Sequence, residues 1–133
     1  MNIRTATDST QSLNGTADIL RFKARTDAVC AVALAHAADV DTSARFPAEA
    51  MAMLKEQHLM GIFVPAELGG EGATMSEAAE ICYALGRACG SAGMIYAMHL
   101  VKVACIVNHG LGIQWQEDVL RRLHTEQLLF ASS

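Results

Sequence analysis

Between residues 92 and 109 the chain is apolar almost all the way round a helix, with only Tyr96, His99, Lys102 and Asn108 interrupting it before Gly110. A helix without a wetted stripe is stable in water only when neighbours surround it, so this segment belongs in the middle of the fold. Composition says what the neighbours are. Hydrophobic residues make up 52% of the 133, aromatic residues only 5%, and proline occurs only at Pro47 and Pro65. A chain rich in Ala, Met, Leu and Val with so few breakers reads as all-α, a helical bundle of about five helices around one core.

Apolar spacing locates the other helices. Residues 1–16 are rich in Thr, Ser, Asn and Asp, bury almost nothing, and read as a flexible N-terminal arm. From Asp18 the steps become three and four: Ile19, Phe22, Thr26, Val29, Ala33, His36 and Val40 form the stripe of a first helix that ends before Asp41. Pro47 suits a first helical position, and Met51 and Leu54 give a second helix its inner face up to about His58. Gly61 stops that helix, and Ile62, Phe63 and Val64 before Pro65 predict a short extended connector. After the turn through Gly69, Gly70 and Gly72, Thr74 and Glu77 have the spacing of a reciprocal cap for a third helix with Ala78, Ile81, Cys82, Leu85 and Cys89 on one side. Gly86 within it suggests close packing, and Ser91 is the expected cap of the apolar fourth helix. A fifth helix, about residues 113–124, sets Trp115, Val119 and Leu123 on one side, with Glu117–Arg121 and Asp118–Arg122 as ion pairs opposite. Residues 128–133 read as a strand with no partner strand, as where another domain should begin. The domain division is therefore 1–16, 17–127 and 128–133.

Several classes are disfavoured by charge and patterning. Ten Lys and Arg against 14 Asp and Glu leave a formal charge of -4, with no basic excess for a phosphate backbone, so nucleic acid is not an expected partner. The longest uninterrupted apolar run, residues 28–35, is far short of the roughly 20 residues of a membrane span. No apolar segment follows Arg4 to make a secretory signal, and the expected compartment is the cytoplasm. Cys30, Cys82, Cys89 and Cys105 fall in apolar helical patterns, which suits reduced core thiols better than disulfides.

Each candidate site residue has a plain structural alternative. Gly69, Gly70 and Gly72 lack the Lys-Ser/Thr of a phosphate loop. Cys105 and His109 share a helical face, but no second pair completes four metal ligands, so no metal is expected. His36 reads as a core or interface imidazole. His99 stands out because Tyr96 and Lys102 lie one turn to either side, where desolvation would favour neutral histidine; a satisfied buried network is the structural alternative. Met94 and Met98 are ordinary core filler that would also suit an adaptable apolar pocket wall. No nucleophile, base and acid can be assembled, so no catalytic residue is assigned to this chain.

The segment Phe46-Pro47, a helix, then Gly61-Ile62-Phe63-Val64-Pro65-Ala66-Glu67-Leu68-Gly69-Gly70-Glu71-Gly72 resembles a hallmark stretch of acyl-CoA dehydrogenases. Leu85-Gly86-Arg87 to Ser91, Met98-His99 and Asn108-His109-Gly110 extend the likeness over about residues 18–133. The resemblance implies the helical N-terminal domain of an FAD enzyme that removes a proton and a hydride from adjacent carbons of an acyl-CoA thioester. It places the flavin mainly on a middle β domain and the glutamate base on a C-terminal helical domain, so FAD belongs to the complete enzyme and this chain alone is expected to be inactive. Acyl-CoA substrate, an electron acceptor and a homo-oligomer are the implied partners. Gly93, Met94, Ala97, Met98 and His99 fall on the helix that helps to line the acyl pocket, and His99 also resembles a position used by flavin monooxygenases of the same fold. A non-enzymatic module that binds an apolar ligand or a partner helix through Met94 and Met98 is the competing class.

Overall fold

A computed structural model describes residues 20–131; the expected arm at 1–16, the onset at Asp18 and Ile19, and Ser132 and Ser133 lie outside the described residues. Five α-helices follow one another: α1 Lys23–Ser43, α2 Ala48–Glu56, α3 Met75–Ala88, α4 Gly90–Gly110 and α5 Gln114–Glu126. A 3-10 turn, Ala66–Leu68, interrupts the long connection between α2 and α3. No strand occurs among the described residues.

In α1 the expected stripe is buried at Phe22, Thr26, Val29, Ala33 and Val40. The helix runs on past Asp41 to Ser43, because Val40 holds its last turn in the core and Ala44 closes it in a left-handed conformation, φ 49°. Arg45 then bonds Asp39 at 2.6 Å and Glu49 at 2.9 Å, fixing the corner into α2. His36 is not in the core: it is half-exposed, with Nδ1 3.5 Å from a Glu49 oxygen. Ala50, Met51 and Leu54 bury the inner face of α2 as expected.

The connection after α2 is a set of buried turns rather than an extended segment. Leu59, Met60, Ile62 and Val64 are all fully buried, and the Val64 amide donates to Gly61 O at 3.1 Å. Residues 59–64 are buried without a break, and because alternate side chains of a strand face opposite ways, an extended segment would need cover on both faces; the coiled backbone turns them inward together. At Gly70 a side chain would collide with the Val64 carbonyl, and Gly69 has φ 88°, which explains two of the three glycines.

Thr74 and Glu77 form the expected reciprocal cap: the Glu77 amide donates to Thr74 Oγ1 at 3.2 Å and the Thr74 amide to Glu77 Oε2 at 2.7 Å. Ser91 does not cap α4. Cys89, extended at φ -153°, ends α3 and starts α4 in a single residue, and its carbonyl accepts from the Gly93 amide at 3.0 Å. So sharp a corner brings α3 and α4 together, and a Cβ on Gly93 would lie 2.6 Å from the Gly86 Cα.

α4 is central on one side only. Ala92, Gly93, Tyr96, His99, Leu100 and Val103 are buried, whereas Met94, Met98 and Val101 are exposed. By length and composition α4 could cross a membrane, but its buried face is part of the bundle core. In α5 the inward residues are Leu120 and Leu123, and Trp115 is 65% exposed, so the expected face is rotated. The Gln116 side chain sets this register by filling the space beside Gly110, which has no Cβ to oppose it. Asp118 pairs with Arg121 and Arg122 with Glu126, each at 2.9 Å, in place of the expected Asp118–Arg122 pair. Glu117 approaches Arg121 at 3.7 Å.

Residues 128–131 are irregular, not the expected strand. Gln127 turns the chain in a left-handed conformation, and Leu128, Leu129 and Phe130 then pack half-buried on the core. Two of their amides are bonded without a ladder: the Leu128 amide donates to Leu123 O and the Phe130 amide to His99 Nδ1.

Candidate functional site

Gly93 lets α4 approach the backbone of α3, and both helices contribute to a groove further along. An apolar groove of about 330 Å³ results, with Ala78 and Cys82 from α3, and Ala97, Leu100, Val101 and Ala104 from α4. Phe63 comes in from the connector, and Asn108 and His109 supply polar atoms at the far end of α4. Few polar groups line it, so it suits an apolar chain better than a charged head. Cys82 contributes as a neutral surface, since burial pushes its thiol above the usual range.

The five residues expected to meet an acyl chain are divided by the helix. Ala97 lies in the α3–α4 groove. Met94 lines a separate, wider groove of about 610 Å³ with Arg45, Phe46, Pro47, Ser91 and Ile95. Met98 is 46% exposed on the outer face, and Gly93 is sealed against Gly86. His99 is fully buried on the other side of α4. The groove residues not foreseen are Ala78, Cys82, Leu100, Val101 and Ala104. The available sequence signal was the small residues Ala97 and Ala104 on α4 and Ala78 on the preceding helix.

Tyr96 and His99 form a satisfied buried network, and Lys102 is not part of it. Tyr96 Oη donates to Leu59 O at 2.7 Å, and His99 Nε2 lies 2.8 Å from Met60 O. Gln127, unforeseen, completes the set: its Oε1 accepts from the Met60 amide at 3.0 Å and its Nε2 donates to His124 O at 2.6 Å. Three side chains thereby satisfy the backbone of a buried turn that has no ladder of its own. Burial holds the His99 imidazole below its ordinary pKa, with the Met60 carbonyl opposing, and drives the Tyr96 phenol well above its own.

The glycine-rich loop does not fit a phosphate cradle for a flavin. Its amides are already used: Gly69 donates to Ala66 O, Gly70 to Pro65 O and Gly72 to Val64 O. Its one acid, Glu71, receives both Arg25 nitrogens at 2.8 and 2.7 Å, an arrangement that clamps the loop to α1. That hydrogen-bonded guanidinium holds the Glu71 carboxyl below its usual range. Among the described residues no group of three or more His, Cys, Asp or Glu could hold a metal ion.

The described residues thus define a helical bundle with an apolar groove between two of its helices. Residues 16–125 match the family described as acyl-CoA dehydrogenase, N-terminal domain, and the chain belongs to that family. It is 33% identical over 82 residues to a 3-sulfinopropanoyl-CoA desulfinase of Paraburkholderia xenovorans, covering 61% of this chain and 21% of that one. It is 39% identical over 75 residues to a probable acyl-CoA dehydrogenase of Mycobacterium leprae, covering 56% and 19%. With a probable acyl-CoA dehydrogenase of Bacillus subtilis the identity is 40% over 62 residues, covering 47% and 16%. The chain thus spans about a fifth of the length of these curated relatives. No solved structure matches it significantly.

Proposed function

We propose that the chain serves as the helical N-terminal domain of an FAD-dependent, acyl-CoA dehydrogenase-like oxidoreductase, and that the α3–α4 groove forms part of the wall for the acyl chain. The groove itself carries this reading, because it is apolar, lined by small side chains and of a size for an alkyl segment. The relatives' names supply the substrate class, a CoA thioester in each case. Dehydrogenation is favoured over oxygenation because both ring nitrogens of His99 are already engaged by backbone, which leaves it no atom for substrate or oxygen. FAD would rest on the rest of the enzyme, and the homo-oligomer is part of the same reading.

In the enzyme carrying this domain, Ala97→Phe narrows the groove. Long acyl-CoA substrates then lose about tenfold or more in kcat/KM while short ones change little. Equal loss at every chain length, or none at any, rules out the groove as the acyl wall. The chain alone, lacking an assigned base and a phosphate cradle, leaves a desalting column colourless and turns over no acyl-CoA with an electron acceptor. Stoichiometric flavin in its visible spectrum contradicts that division of labour.

A further inference from the structure

We propose that His99 is a positioning residue, a proton-controlled staple that ties residues 128–130 to the α2–α3 connection and so sets the course of the chain after α5. The inference stands on geometry and is independent of the acyl-CoA reading. Met60 O, 2.8 Å from Nε2, can only accept a hydrogen bond, so Nε2 carries the hydrogen. The Phe130 amide, 3.0 Å from Nδ1, can only donate, so Nδ1 is bare. The two partners define one neutral tautomer. Neither partner is near His99 in sequence: Met60 is 39 residues before it and Phe130 is 31 after it. The rings close the joint, with Tyr96 stacked at 6.2 Å and the Phe130 ring edge-on at 5.8 Å.

A proton delivered from solvent to Nδ1 removes the only acceptor the Phe130 amide has here and sets N–H against N–H. It also places a charge where none is compensated. On α4 the titratable groups about the ring are Tyr96, whose hydroxyl is turned to Leu59 O, and Lys102 one turn on. His58 on the connection is exposed, and His124 on α5 meets the network through its carbonyl to Gln127. Arg25 and Glu71 pair with each other and bear on Tyr96. Residues 128–131 contribute Leu, Leu, Phe and Ala, with no charge. Among the described residues no carboxylate stands at the ring to welcome the imidazolium, so protonation breaks the staple instead of strengthening it.

The test follows the ¹⁵N resonances of the imidazole and the protection of the Phe130 amide across a pH titration of the full chain. At neutral pH, Nδ1 gives the signature of a bare acceptor and Nε2 that of an N–H. As pH falls below the ordinary imidazole range, Phe130 protection drops about tenfold or more in step with the ring titration, while the Val103 amide in the core stays protected. A hydrogen on Nδ1 at neutral pH, an unprotected Phe130 amide, or protection that survives the titration overturns the proposal. His99→Gln offers one donor and one acceptor without titrating, so its Phe130 protection shows no pH step; a step that persists in this variant assigns it to another group and equally overturns the staple. Should that variant fail to fold, the wild-type titration decides alone.

Discussion

Gly93 and Gly86 sit across from each other where α3 and α4 meet, yet only one of them needs to be glycine. A Cβ on Gly93 would lie 2.6 Å from Gly86 Cα and 2.8 Å from its nitrogen, both backbone atoms that cannot swing aside. Gly93→Ala therefore forces the helices apart and lowers stability by about 1 to 3 kcal/mol. At Gly86 nothing lies within 4 Å of the added carbon, so Gly86→Ala raises stability by about 0.5 to 1 kcal/mol through helix propensity and a less disordered unfolded state. Urea midpoints of the two variants, moving in opposite directions at unchanged slope, check the pair. The sequence marks Gly86 as a packing glycine and places Gly93 on a substrate wall, whereas the contact assigns the packing requirement to Gly93. A similar limit applies to His99. Its oddity on an apolar helix is legible from residue types, but its partners at Met60 and Phe130 are brought in by tertiary structure that no local window contains.

At the scale of elements, a signal held within one turn can read correctly even where others, such as the Ser91 cap, do not. The α3 cap depends on two residues three apart and forms as the spacing predicts. Thr74→Ala should cost about 1 kcal/mol. Glu77→Ala should cost more, since the same buried carboxylate also meets Arg21 at 3.1 Å; equal losses in the urea midpoints would show that the Arg21 contact adds nothing. The α5 face misreads because Trp115, Val119, Leu120 and Leu123 offer two overlapping stripes, and the choice is made by Gln116 fitting beside Gly110. The connector misreads because its buried backbone is satisfied by distant side chains, Tyr96 and His99 of α4 and Gln127. The Arg25–Glu71 clamp on that connection makes a pH prediction. The folded Glu71 carboxyl is held below its ordinary 4.5, first by the Arg25 hydrogen bond, so its stabilising contribution is complete above 4.5 and disappears as pH falls through the lowered value. Arg25→Gln removes that contribution, and the urea midpoint of the variant should fall less steeply than that of the wild type as pH is taken below 4.5.

At the scale of the molecule, the described residues form a five-helix bundle that covers the apolar helix α4 on one side only. Met94 is 65% exposed, Met98 46% and Val101 56%, and all three lie along α4, the helix whose composition most demands surroundings. Leu111, Ile113 and Trp115, also exposed, extend apolar surface through the turn into α5. Scattered exposed hydrophobes are ordinary on soluble proteins, but a run along one helix and into the next gathers into a patch of the kind that associates. A formal charge of -4 on 133 residues gives only weak mutual repulsion to oppose it. The chain should therefore sediment with a weight that rises with concentration and bind a hydrophobic dye while still folded. Replacing Met98 and Val101 with Lys should suppress both effects at unchanged cooperativity of unfolding, because these side chains leave the buried face of Tyr96, His99, Leu100 and Val103 intact. A strictly monomeric wild type that ignores the dye would mean that α4 is content in water and that its apolar side needs no cover.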